Sequence, residues 1–151
     1  MDTSKVFSGT KGKREDLRSN FPDIGKDEEA HHVIPWAVGK NHKLISRLQF
    51  DLNDFINGKE LKANRVYKDD LDYEGQLHGT HPEYNHAMKQ VLDAIDSSNR
   101  DDNTKKEMLI EVIERAKIHL DMNEPPLMNK HGSLREKWVE VLMPAIDRRK
   151  N

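Results

Sequence analysis

Between residues 82 and 142 the apolar side chains recur every three or four positions, and this spacing constrains the fold more than any other feature. Tyr84, Met88, Val91, Leu92 and Ile95 form one stripe. Met108, Leu109, Val112, Ile113, Ala116 and Leu120 form a second, and Leu134, Trp138, Val141 and Leu142 a third. Such stripes belong to helices that bury one face. The first helix is expected over about 82–97. Thr80 and Glu83 have capping-box spacing, and Pro82 fits a first turn, where its missing N–H costs little. The second is expected over about 103–121, ended by "NEPPLMNKHG", and the third from Ser133, where "SLRE" repeats the capping-box spacing.

The first half is less regular. Residues 1–26 are polar and rich in Gly, Ser and Lys, and read as a flexible lead-in with one turn of helix around 15–18. "EAHHVIP" reads as a short strand closed by Pro35, because the residue before a proline is pushed to extended geometry. Leu44, Ile45 and Leu48 predict a helix over roughly 41–48, interrupted by Asn53-Asp54. Asn57-Gly58 is the strongest hairpin-turn signal, with Ile56 and Leu61 as flanking strand positions. Residues 62–80 read as a polar loop. No internal repeat is present, and 151 residues predict one domain, placed over 27–151. Hydrophobic and charged residues each make up 34%, so the core is expected to be modest and wrapped by solvated helices. The fold class is therefore α+β and predominantly helical.

Composition also removes whole classes of function. No apolar run approaches the ~18 residues of a membrane span, so no membrane insertion is expected. "MDTSKVFSGTKGKRED" lacks the apolar core of a secretory signal. Cysteine is absent, which excludes disulfides, thiolate ligands and cysteine nucleophiles. A bound metal would have to be held by His, Asn or carboxylates. Twenty-five Lys and Arg against 27 Asp and Glu give a formal charge of −2, so any phosphate-binding surface must be a local patch.

Two stretches concentrate the chemistry. "EAHHVIPWAV" places His31 beside His32. "HGTHPEYNHAM" places His81 and Asn85 four apart, on the helix face shared with Met88 and Leu92, so both project inward while His86 projects outward. An imidazole and a carboxamide in a helix's first turn are both possible metal ligands, and a helix N-terminus favours phosphate. These pieces suit a ββα module in which a hairpin lays the histidine pair against the helix. One histidine would join the helical ligands on a divalent metal. The other would stay free to deprotonate water, because a metal-bound imidazole cannot also act as a base. Asn57 has an ordinary reading as a turn residue. His42, His119 and His131 read as surface residues and "DRRK" as a solvated tail. Arg65, Lys62 and Lys68 are phosphate candidates by loop proximity.

"AHHVIPW", "FDLNDFINGKEL" and "HGTHPEYNHAMKQVL", in this order, resemble the AHH nucleases of the HNH, or ββα-metal, superfamily. The resemblance covers roughly 28–96, which implies a ββα-metal core there and leaves 97–151 as a helical C-terminal cover. It implies that His31 is a metal ligand and His32 the general base, with Asn57 orienting that base through a hydrogen bond. His81 would be the main helical ligand and Asn85 would complete the site. His78 would be a phosphate contact or an alternative ligand, and Tyr84 would pack beneath the site. Lys59 departs from the apolar residue expected after Asn-Gly. The implied activity is metal-dependent endonucleolytic hydrolysis of DNA with one divalent ion (Mg, Mn, Zn or Ni). Domains of this type are commonly bacterial toxins or effectors, delivered into the cytoplasm of a target cell and restrained by an immunity protein. A free-standing cytoplasmic protein, an RNA-directed nuclease and a catalytically inactive metal-binding module are the alternatives.

Overall fold

The computed structural model describes residues 4–9, 12–70, 77–128 and 133–147. His131 and residues 148–150 of the expected tail lie outside the described residues, as does the 71–76 part of the expected polar loop. In chain order, strand β1 (Glu28–His32) is followed by the short helices α1 (Trp36–Gly39) and α2 (Lys43–Leu48). Strand β2 (Gly58–Ala63), α3 (Asn64–Tyr67) and the two-residue β3 (Leu77–His78) come next. Helices α4 (Pro82–Ser97), α5 (Asp102–Met122), α6 (Ser133–Leu142) and α7 (Pro144–Asp147) complete the chain. The expected α+β, predominantly helical class is found.

β1 and β2 pair antiparallel with His31 opposite Lys59 and His32 opposite Gly58, and β3 adds to β2 in parallel. The three predicted stripes form the core. Tyr84, Met88, Val91, Leu92 and Ile95 of α4 meet Met108, Leu109, Val112 and Ile113 of α5, with Leu134, Trp138 and Leu142 of α6. α4 is therefore covered by helices on one side and by the β1–α2 region on the other, where Val33, Ile34, Leu44 and Leu48 are buried. Its N-cap is His81 rather than Thr80, with Pro82 at the first position. α5 is capped by Asp101, whose carboxylate accepts from the Thr104 N–H at 2.8 Å. Asn123 closes it with φ 53°, left-handed geometry that Asn tolerates.

Four local expectations are overturned. Asn57-Gly58 is not a hairpin turn: Asn57 ends a 3-10 turn (Phe55–Asn57), and Gly58 has an extended φ of −109° and starts β2. Residues 33–57 connect the paired strands, so the pairing is long-range. Gly58 serves close packing instead, since a Cβ there would run into the Phe21 ring. The polar stretch 62–80 holds the end of β2, all of α3, and β3, elements too short to carry a periodicity. His42 is not a surface residue. Its side chain is 8% exposed, accepts from the Leu44 N–H at 3.1 Å and meets Asp93 at 2.7 Å, so it caps α2 and ties it to α4. His119 is half-buried, bonded to the Glu124 carbonyl at 2.9 Å and edge-on to Trp138.

The lead-in also differs from the flexible segment expected over 1–26. Its described part carries 3-10 turns at Ser4–Phe7 and Arg14–Asn20. Val6, Leu17 and Phe21 are buried, and the Val6 carbonyl accepts from Asp51 N–H at 2.7 Å. Three apolar side chains far apart in a polar stretch give no periodic signal, yet each finds a pocket. Leu17→Ala should therefore cost about 2–5 kcal/mol of unfolding free energy, as for other buried leucines. Chemical denaturation measures this, and a change below about 0.5 kcal/mol would show a segment that is not docked.

Candidate functional site

Adjacent residues on a strand point to opposite faces, and the end of β1 uses this alternation to separate the two histidines. His31 turns toward α4, where its ring lies 5.1 Å from His81 and 5.4 Å from Tyr84. β3 brings His78 to the same place, 5.0 Å from His31 and 5.4 Å from His81. The three imidazoles form a triangle in which one ring nitrogen from each lies within 4.8 Å of the others. Three elements thus converge: strand β1, the short β3, and the cap of α4.

His31 is fully buried, and neither of its ring nitrogens has a hydrogen-bond partner. Burial, with the neighbouring His78, His81 and His32 adding to it, holds its pKa well below the usual imidazole range. It is a neutral ring with an unshared lone pair. Burial first, then His78, pushes His81 down to about 4 against the opposing bond from Asn85.

The partners of the other two rings set their tautomers. His81 Nδ1 meets Asn85 Oδ1 at 2.8 Å, and a carboxamide oxygen only accepts, so Nδ1 carries the proton and Nε2 is left with its lone pair. His78 Nδ1 donates to Glu29 Oε2 at 2.6 Å and likewise frees Nε2. A carboxylate or carbonyl behind the distal nitrogen is the usual support of a metal-binding histidine. An orphaned buried nitrogen pair beside two rings with oriented lone pairs fits a cation well. Three imidazole ligands suit borderline ions such as Zn2+ or Ni2+ better than Mg2+, which prefers oxygen.

This bears on two of the expected residues. His78 joins the cluster directly, whereas the Asn85 amide oxygen is engaged in holding His81. Glu29 was not singled out in the sequence, although it lies two residues before His31 and so on the same strand face. Arg65, expected near phosphate, is 3.7 Å from Glu29 and donates to the Lys26 carbonyl at 3.1 Å, and so stands behind His78. Lys59, the departure after Asn-Gly, forms an ion pair with Asp121 of α5.

His32 lies outside the triangle. Its Nε2 meets Asn53 Oδ1 at 2.8 Å, which puts the proton on Nε2 and leaves Nδ1 able to accept one. Burial lowers its pKa, the Asn53 bond opposes that, and the Arg14 charge adds to the lowering. The orienting residue is therefore Asn53 and not Asn57. Asn53 is itself held by the Lys13 carbonyl at 2.9 Å and the Asp51 carboxylate at 2.9 Å.

Asn57 has a different task. Its Oδ1 accepts from the Ile34 N–H at 2.8 Å and its Nδ2 donates to the carbonyls of Ile34 and Leu52 at 3.1 and 2.9 Å. It staples the segment after β1 to the segment before β2. Tyr84 lies beneath the site as expected, its hydroxyl bonded to the Val33 carbonyl at 2.5 Å. Trp36 and Asn53, which both contact His32, also help to bound a cavity of about 450 Å3, together with Lys40.

A family model, described as a nuclease family of the HNH/ENDO VII superfamily with conserved AHH, matches residues 13–120. Searches of curated proteins and of solved structures return no match.

The orphaned nitrogens of His31 have an energetic signature. Replacing a buried unsatisfied polar group by an apolar one of similar size removes a desolvation penalty of about 1–3 kcal/mol. His31→Leu should stabilise the metal-free protein by that order in a denaturant titration with chelator, while weakening its binding of Zn2+ or Ni2+. Loss of stability in chelator would show that His31 is a satisfied structural residue.

Proposed function

The chain belongs to the AHH family of nucleases in the HNH/ENDO VII superfamily, and from that premise we propose that it is a metal-dependent endonuclease acting on DNA. The observation that carries the reading is the division of labour within Ala30-His31-His32. One imidazole offers a lone pair to a three-histidine cluster, and its neighbour lies outside the cluster with one nitrogen open.

His31, His78 and His81 would hold one divalent ion. When bound, the ion supplies Lewis acidity that polarises the scissile phosphate and stabilises charge on the departing oxygen. His32 Nδ1 takes a proton from the attacking water, its Nε2–H fixed by Asn53. Glu29 and Asn85 keep the distal nitrogens of His78 and His81 protonated, so the proximal ones stay directed into the cluster. Tyr84 and Asn57 hold the backbone on which the two histidines sit, through the carbonyl of Val33 and both backbone groups of Ile34.

The biological role that accompanies this chemistry is that of a bacterial antagonistic effector. It would act in the cytoplasm of a target cell, with an immunity protein as its restraining partner.

Plasmid nicking in Mg2+, Mn2+, Zn2+ and Ni2+ tests the activity, with an RNA of equal length run alongside. Wild-type protein is expected to nick DNA. His32→Ala should lower the rate by about 100- to 10,000-fold, the usual contribution of a general base, with binding of the metal retained. Asn53→Ala should lower it less, because the ring remains but turns more freely. Absence of cleavage by wild type in every metal would favour a non-catalytic metal-binding module. Cleavage of RNA alone would transfer the assignment to RNA.

A further inference from the structure

We propose that Arg14, carried by the N-terminal 3-10 turn Arg14–Asn20, is the side chain that binds the phosphate of the scissile diester beside His32 and the histidine cluster. The proposal rests on the nuclease reading and adds to it a substrate-binding residue from outside the ββα core.

The placement follows from a short chain of bonds. His32 Nε2 meets Asn53 Oδ1 at 2.8 Å, and Asn53 Nδ2 donates to the Lys13 carbonyl at 2.9 Å. Arg14 is joined to that carbonyl by the next peptide bond, so its backbone is anchored one side chain away from the base. Gly12 lets the turn come this close, since a Cβ there would lie 2.8 Å from Asn53 Nδ2. Leu17, fully buried, pins the same turn to the body of the protein. The Arg14 guanidinium is exposed, and among the described residues it has no carboxylate partner. From that anchored backbone the extended side chain has the length to reach the space beside His32.

Several other cations near the site are already engaged. Arg65 is turned to Glu29 and the Lys26 carbonyl. Arg18 donates to the carbonyls of Glu28 and Gly25 at 2.7 and 2.8 Å. Lys59 is paired with Asp121, and Lys62 lies over the Tyr67 ring. The carboxylate of Asp16, two residues along, accepts from the Lys13 N–H at 2.8 Å. A chain with a formal charge of −2 draws a polyanion weakly as a whole, so local charge must do it. A guanidinium offers a planar pair of N–H donors that matches two phosphate oxygens, and its charge meets the negative charge that grows in the transition state.

The test uses the full chain in two assays. In chelator, binding of a short DNA duplex is followed by fluorescence anisotropy across a salt series. In metal, cleavage of the same duplex gives kcat/KM. Arg14→Ala should reduce the slope of log affinity against log salt by about 1, as expected for one lost phosphate contact. It should lower kcat/KM by about 100-fold, the scale of losing one charge-stabilising donor. Arg14→Lys keeps the charge without the fork and should recover about a tenfold part of that loss. Co2+ absorption by the histidine cluster should be the same in all three proteins, which a structural role for Arg14 would not predict. Wild-type cleavage matched by Arg14→Ala, with an unchanged salt slope, would overturn the proposal and leave the nuclease reading standing. Wild-type protein that neither binds nor cuts nucleic acid would overturn both.

Discussion

The site depends on an imidazole sealed away from solvent with neither nitrogen bonded to the polypeptide. Burying a polar group without a partner is costly, on the order of 1–3 kcal/mol, and a fold sustains it only where the surrounding packing is strong. Around His31 that packing comes from α4, whose Tyr84 ring lies against His31 on one side and edge-on to Trp138 of α6 on the other, 4.9 Å away. The apolar stripes thus do more than close a core. They hold a group in a state that water would otherwise relieve, with its lone pair open to a cation.

Two asparagines only four residues apart show how a common residue type is given distinct work by its surroundings. Asn57 is fully buried and uses its amide entirely on main-chain groups, joining the exit of β1 to the entry of β2. Asn53 uses one end on a main-chain carbonyl and the other on an imidazole. The first fixes where the histidines lie and the second fixes which nitrogen of His32 carries a proton. A carboxamide suits both tasks because it donates and accepts at once without introducing a charge.

The long helices were legible because a 3.6-residue repeat sustained over four or five turns buries a continuous face only in helical geometry. Their observed bounds differ from the expected ones by no more than a residue at either end, within the ordinary ambiguity of helix termini. His31, His32 and His81 were also legible, through adjacency on a strand and position at a helix start. Asn53 was not: nothing in "DLND" distinguishes it from a helix-breaking pair, and its partner lies 21 residues away. The same limit explains the misreading of Asn57-Gly58, where a local turn preference loses to a long-range pairing and to the need for a bare backbone against Phe21. His78 and Glu29 meet only because β3 joins the sheet, and two residues cannot announce a strand.

The ring of Tyr84 sits between His31 and Trp138, and this arrangement has a consequence for the order in which the protein comes into being. Chains emerge from the ribosome N-terminus first, so all three clustered histidines are outside before the helix bearing Trp138. Until α6 folds over α4, the aromatic floor under His31 is open to water, and the imidazole can find solvent partners. The segment bearing Trp138 therefore gives the pocket its dryness, and maturation of the centre waits until that segment has been made and has folded over α4.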